Sequence, residues 1–190
     1  MEYKRKDVYQ VTQKIIHILK AQEDMASGKA ALAALRHSIG KPLGDASAVW
    51  PLLLENMPEE FLSIHGSETK EERAIYTALQ LYAMQKQGRR GKEKTDTVKN
   101  IGEALRQFRT GNGQAALDRR FVVTLSATSF DNFLYQLRQL LQLAKAKGAL
   151  PLDFAALAND LYWYQMGARK KICLRWAEAY YRIEKKKEDK

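Results

Sequence analysis

Apolar residues recur three and four positions apart along most of this chain, beginning with Val8, Val11, Ile15 and Leu19, and no segment shows sustained strand-like alternation. The pattern predicts helices almost throughout. Thr69 and Glu72 form a capping-box pair ahead of Ile75, Leu79 and Tyr82, since each side chain can satisfy a backbone N–H left unpaired by the first turn. The next helix is expected over Val98 to Phe108, with Val98, Ile101, Leu105 and Phe108 inward and Gly111 and Gly113 closing it. Ala115 to Ala127 reads as another. Phe130, Phe133, Leu134, Leu137, Leu141 and Ala144 line a long helix with Ser129 as its cap and Lys145, Lys147 and Gly148 as its stop signal. Asp153 then caps "FAALANDLYWY", and Gly167 separates that segment from the last helix.

Eight or nine helices joined by short turns account for the chain, so the expected fold is an all-α, compact helical bundle. With 190 residues and 45% hydrophobic content it can build one compact domain, or two small lobes over residues 1–110 and 111–190 that share a core. The one long polar connection is "KQGRRGKEKTDT", residues 86–97, and the segment after Ile183 is a charged tail. No apolar run approaches the roughly 20 residues of a membrane span, and "MEYKRKDVYQ" lacks the apolar stretch of a signal peptide. The single cysteine, Cys173, excludes an intrachain disulfide framework. A soluble cytoplasmic protein with no membrane partner is the expectation.

Charge changes the picture because of where it sits. The formal charge is +10, yet residues 1–85 hold 10 basic and 11 acidic side chains and residues 121–161 hold 3 of each. Residues 86–120 carry 10 basic against 4 acidic, and residues 162–190 carry 9 against 4. Excess confined to two segments points to a polyanionic partner rather than a small acidic metabolite. By contrast, "ENMPEEFLSIHGSETKEER" is an acidic patch suited to a basic protein neighbour.

Catalysis finds little support. His17, His37 and His65 lie on separate segments without paired ligand spacing, and one cysteine cannot make a structural zinc site. "GRRGKEK" lacks the spacing and the strand-to-helix setting of a phosphate-cradling loop. No metal, cofactor or enzymatic activity is expected.

In the last helix, a turn of about 100° per residue brings Lys171, Arg175 and Arg182 to one side, beside an apolar face of Ala168, Ile172, Trp176, Ala179, Tyr180 and Ile183. Rings and cations occupy different faces, so Trp176 and Tyr180 read as core rather than as a stacking platform for bases. The same arithmetic pairs Lys29 with Arg36 and Arg138 with Lys145. Arg119 and Arg120 flank the apolar side of their helix from opposite directions, which lets one anchor the fold while the other meets a partner. Stripes on four helices plus the "GRRGK" loop favour an extended polyanion, held through its phosphates without sequence readout.

Six ordered blocks then bear a resemblance. "SGKAALAALRHSIG", "WPLLLENMPEE", "EERAIYTALQLYAMQKQG", "NIGEALRQF", "LDRRFVVTLSATSFDNFLYQLRQLLQLAKAKGALPLDFAALANDLYWY" and "RKKICLRWAEAYY" resemble, in order, the blocks of the CasB family. These are the small subunits of type I-E CRISPR interference complexes, or Cascade. The resemblance implies an all-helical, non-catalytic subunit that forms a head-to-tail pair along a crRNA-guided complex. It would contact other Cascade subunits and help hold single-stranded DNA and the crRNA–DNA hybrid backbone of the R-loop, while base pairing supplies specificity. Carried over by matching positions, the nucleic-acid-binding set is Arg36, Arg119, Arg120, Arg138, Arg169, Lys170, Lys171 and Arg175. His37 stands where many relatives have a second arginine, and Gln136 where relatives often have a histidine. Lys29, Lys145 and Arg182 join the set from helical geometry, and Arg89 and Arg90, with Lys92 beside them, from charge alone. Two other classes fit the same basic stripes: an assembly scaffold that meets acidic protein surfaces without touching nucleic acid, and a stand-alone helical RNA-binding protein.

Overall fold

The computed structural model describes residues 2–88 and 97–182, and within these the side chains of all but residues 2–7 and 112. Arg89, Arg90, Lys92 and Ile183 lie outside the described residues. Nine α-helices are present among the described residues: α1 (Glu2–Ala21), α2 (Ala26–His37), α3 (Trp50–Leu54), α4 (Lys70–Lys86), α5 (Ile101–Arg106), α6 (Gln114–Ser126), α7 (Phe130–Lys147), α8 (Phe154–Trp163) and α9 (Arg169–Tyr181).

The bundle is built around α4 and α8. Every residue from Phe154 to Tyr162 in α8 is buried, as expected of a helix apolar on nearly all sides. α4 is buried along most of its length too, although its sequence is more polar, because its polar groups find partners inside. The Gln80 amide donates to the Ser38 carbonyl at 2.7 Å and the Gln85 amide to the Leu141 carbonyl at 2.8 Å. Each bond pins α4 to a neighbour while relieving the cost of burying an amide. Tyr82 meets Phe154 edge to face, and Gln165 donates to the Lys70 carbonyl, so α4 and α8 run antiparallel. α1, α2 and α7 pack around α4, and α1 also lies along α8. Elements on either side of residue 110 share one hydrophobic cluster that extends from Val8 to Tyr180.

The helix boundaries follow local chemistry. The capping box closes α4 as its sequence requires: the Thr69 hydroxyl accepts from the Glu72 N–H at 3.0 Å, and the Glu72 carboxylate accepts from the Thr69 N–H at 2.7 Å. Ser129 caps α7, and the Asp153 carboxylate accepts from the N–H groups of Ala155 and Ala156 to start α8. At Gly167 the backbone takes φ +92°, a conformation strained for any side chain, and the chain turns from α8 into α9. Gly102 meets a second demand: a Cβ there would sit 1.9 Å from the Trp176 carbonyl oxygen, so α5 and α9 touch backbone to backbone.

One expected helix is shorter than its apolar spacing suggested. α5 begins at Ile101, where the Asn100 side chain caps it, and Val98 instead forms an isolated parallel bridge with Leu152. The Val98 N–H donates to Pro151 O at 2.8 Å, and the Asp153 N–H to Val98 O at 2.9 Å. Val98 is inward-facing in both descriptions, but tertiary pairing has displaced the helical turn.

Candidate nucleic-acid interface

α9 is anchored by the residues that part its rings from its cations. Ile172, Trp176 and Tyr180 are buried, the last two essentially completely, while Lys170, Lys171, Leu174 and Arg175 face outward. Of the six aromatic residues from Tyr162 to Tyr181, Tyr181 is the exposed one. The Trp176 indole donates to the buried Asp160 carboxylate at 2.8 Å, and the Arg175 guanidinium pairs with the other oxygen of the same group. Phe121 of α6 stacks on Tyr180 with ring centroids 4.0 Å apart.

Two contacts set α6 and α9 antiparallel. Near one end the Tyr180 hydroxyl donates to Asp118 at 2.7 Å, and near the other the Arg169 guanidinium donates to the Leu125 carbonyl at 3.1 Å. Arg119 therefore lies near the C-terminal end of α9, and Lys170 and Lys171 near the C-terminal end of α6. Arg119 stands six residues before Leu125 on α6, and Lys170 and Lys171 ten and nine residues before Tyr180 on α9, which separates these cations by about 10–15 Å along the pair.

Five of the sequence-derived cations, Arg175 among them, make contacts within the fold. Arg120 donates to Gln136 on α7 at 3.2 Å, and Arg169 to the Tyr164 hydroxyl and the Leu125 carbonyl. Lys145 donates to the Met84 carbonyl at 2.7 Å, closing the end of α4. Arg138 lies over the Tyr135 ring beside Gly40, with its Nε buried and unpartnered. Arg182 follows the last turn of α9 with φ −55° and ψ 125°, so the helical arithmetic that aligned it with Lys171 and Arg175 does not extend to it. Arg36 is half-buried and Lys29 exposed, both on α2. Arg119, Lys170 and Lys171 are exposed on one helix pair with no hydrogen bond or ion pair among the described residues. Between them on the same two helices stand Val122 and Leu174, 50% and 61% exposed.

The sequence reading missed the cation that ties this layer together. Arg109 makes a two-pronged contact with Asp118, at 2.8 and 3.2 Å, and lies 4.8 Å from the centroids of both Tyr180 and Tyr181. Its partner stands nine residues away across a turn, a spacing with no helical signature. The Arg109 hydrogen bond, opposed by partial burial and aided by the bond from Tyr180, holds the Asp118 carboxyl below the usual carboxylate range. Such a group stabilises the fold fully above its unfolded pKa, and that contribution is lost as pH falls through the lower folded value. An Asp118→Asn variant should therefore melt below the parent at neutral pH, with the gap closing as both are titrated into the acid range. Thermal melts at several pH values check this, and a gap that persists in acid would remove the charge from the account.

The acidic patch is partly turned inward. Glu71 and Glu72 are buried, Glu72 serves the capping box, and Glu68 accepts from the Leu43 N–H, which leaves Glu55, Glu59 and Glu60 exposed. Among the described residues no group of three or more His, Cys, Asp or Glu side chains could hold a metal ion, and no helix is long and apolar enough to cross a membrane.

Comparison with known proteins gives three findings. The family model of the CRISPR-associated protein Cse2 matches residues 31–181. The solved structure of CasB from Thermobifida fusca is similar over 94% of this chain and 97% of its own, with a TM-score of 0.68 at 24% identity. A CRISPR-associated protein of the Cse2 family from Thermus thermophilus is similar over 90% of this chain and 97% of its own, with a TM-score of 0.65 at 27% identity. No curated protein sequence matches.

Proposed function

This chain belongs to the CRISPR-associated Cse2 family, and from that premise we propose that it serves as a non-catalytic small subunit of a crRNA-guided interference complex, Cascade. In this reading it stabilises the R-loop by holding single-stranded DNA, or the backbone of the crRNA–DNA hybrid, through charge rather than base contacts. Other Cascade subunits and a second copy arranged head to tail are its protein partners, and the cytoplasm is where it works. The organisation into residues 1–110 and 111–190 remains part of the proposal as two lobes of one unit.

The observation that carries this reading is the pair of uncompensated cation sites spaced along α6 and α9: Arg119 near the middle of α6 and Lys170 with Lys171 at the N-terminal end of α9. A compact anion would be met by cations converging on a point. Cations spread over about 10–15 Å of an outer helix surface instead suit a strand whose charges repeat along its length. The inward turn of Glu68, Glu71 and Glu72 weakens the scaffold alternative, because it removes carboxylates that a second copy's basic surface would need.

Isolated protein should bind single-stranded DNA of mixed sequence weakly, with log K falling linearly against log salt by about 0.7 per phosphate neutralised. Fluorescence anisotropy across a salt series measures this. Affinity indifferent to salt would defeat the electrostatic mechanism, and salt-sensitive self-association without DNA binding would favour the scaffold.

A further inference from the structure

The outer side of the α6–α7 hairpin carries the cationic surface on to an aromatic ring. The two helices are joined by the short turn of residues 127–129 and run antiparallel, with Arg120 of one donating to Gln136 of the other at 3.2 Å. In such a pair the residue before each bonded partner, about 100° back around its own helix, comes to the same side. Those residues are Arg119 and Tyr135. Burial agrees: Leu117 and Phe121 of α6 and Phe133 and Leu137 of α7 are fully buried on the core side, whereas Arg119 is exposed and Tyr135 is 52% exposed. Arg119 and Tyr135 therefore stand beside one another on helices whose axes lie about 8–10 Å apart.

Tyr135 is held in place. The Arg138 guanidinium, one turn further along α7, lies over its ring at 5.3 Å from the centroid. That guanidinium is itself seated: its Nε is buried, and a Cβ on Gly40, which takes φ +82°, would stand 3.2 Å from its Nη1. With one face covered by a fixed cation, the exposure of the ring falls on its other face and its edge. Charge continues past the ring. Arg138 and Lys41 share a cleft of about 420 Å³ between the turn after α2, α4 and α7, and neither makes a hydrogen bond or ion pair among the described residues. The two carboxylates of that cleft, Glu68 and Asp131, both pair with Arg73.

We propose that Tyr135 is a stacking platform for one base of a single strand whose phosphates are held by Arg119 on one side of the ring and by Arg138 and Lys41 on the other. This rests on the reading that the protein holds single-stranded DNA through its phosphates, and adds to it a contact with a base. A surface tyrosine alone would carry no such meaning. What carries it is a fixed ring between uncompensated cations, the combination of stacking and charge by which single strands are held. Every base has a π-face, so such a platform tolerates any sequence.

Fluorescence anisotropy of the full chain tests this with a single-stranded oligonucleotide of mixed sequence and with an abasic oligonucleotide of the same length. Tyr135→Leu should weaken the base-bearing strand at least fivefold, the lower end of what one stacked base contributes. Its log–log salt slope should stay parental, because the ring neutralises no phosphate. The abasic strand should bind the parent and Tyr135→Leu alike, and Tyr135→Phe, which keeps the ring, should bind both strands as the parent does. The ratio of the two affinities on one sample does not depend on how much of a variant is folded. If the parent binds and Tyr135→Leu binds the base-bearing strand equally well, the platform is overturned and the electrostatic reading stands. Equal weakening on both strands, or Tyr135→Phe as weak as Tyr135→Leu, would overturn it too. Weaker self-association with unchanged DNA affinity would do the same and give the ring to a protein interface. A parent that binds neither strand overturns both readings.

Discussion

Replacing Trp176 by alanine should lower stability by about 3–5 kcal/mol, in the range for deleting a large aromatic from a core that cannot collapse around the gap. The indole is 1% exposed and packs 5.8 Å from Phe133, while the α5 backbone presses against its own carbonyl at Gly102. These walls belong to two helices, α7 and α5, so partial relaxation of one leaves the void largely open. A second cost falls on Asp160, whose buried carboxylate loses the indole N–H and keeps Arg175 as a partner. For a domain of this size about 2–4 °C of melting temperature accompanies each kcal/mol, so a drop of roughly 10 °C is expected. Trp176→Phe separates the two terms, since it retains most of the volume and forfeits the hydrogen bond, and should recover more than half of the loss. A Trp176→Ala melt matching the parent would overturn the core assignment and return the ring to the surface as a stacking group.

How much of this was legible in the sequence depends on the range of the interaction. The capping box at Thr69, the caps at Ser129 and Asp153 and the turn at Gly167 are fixed by neighbours within a few residues, and each appears where the sequence placed it. The division of α9 into buried rings and outward cations was equally readable, because helical period alone determines it. Failures begin where the deciding partner is distant. Val98 satisfies a helical spacing, but residues 151–153 capture its backbone. Arg169 and Arg175 look like members of a cationic stripe, yet Leu125 and Asp160 had already claimed them, and no periodicity reveals a partner 44 or 15 residues away.

That sorting of cations changes which substitutions should matter most for a strand. Reversing Arg119, Lys170 and Lys171 together to glutamate should weaken single-stranded DNA binding by the isolated protein at least tenfold. If all three neutralise phosphates, the log–log salt slope should become shallower by about 2, which is three contacts at about 0.7 each. The fold should hold, because these side chains are exposed and make no ion pair among the described residues. Arg175→Ala supplies the contrast. Removing it leaves the nearly buried Asp160 carboxylate with less compensation, so melting temperature should fall while the salt slope stays close to that of the parent. The same triple variant in a reconstituted complex should impair R-loop formation without loss of assembly, since the buried faces of α6 and α9 are unchanged. A parental slope in the triple variant would show that the uncompensated cations of this surface face something other than the phosphate backbone, whatever the affinity does. A parental slope in Arg175→Ala together with a lower melting temperature would show that the partnered cations hold the fold, leaving strand binding to those the fold does not use.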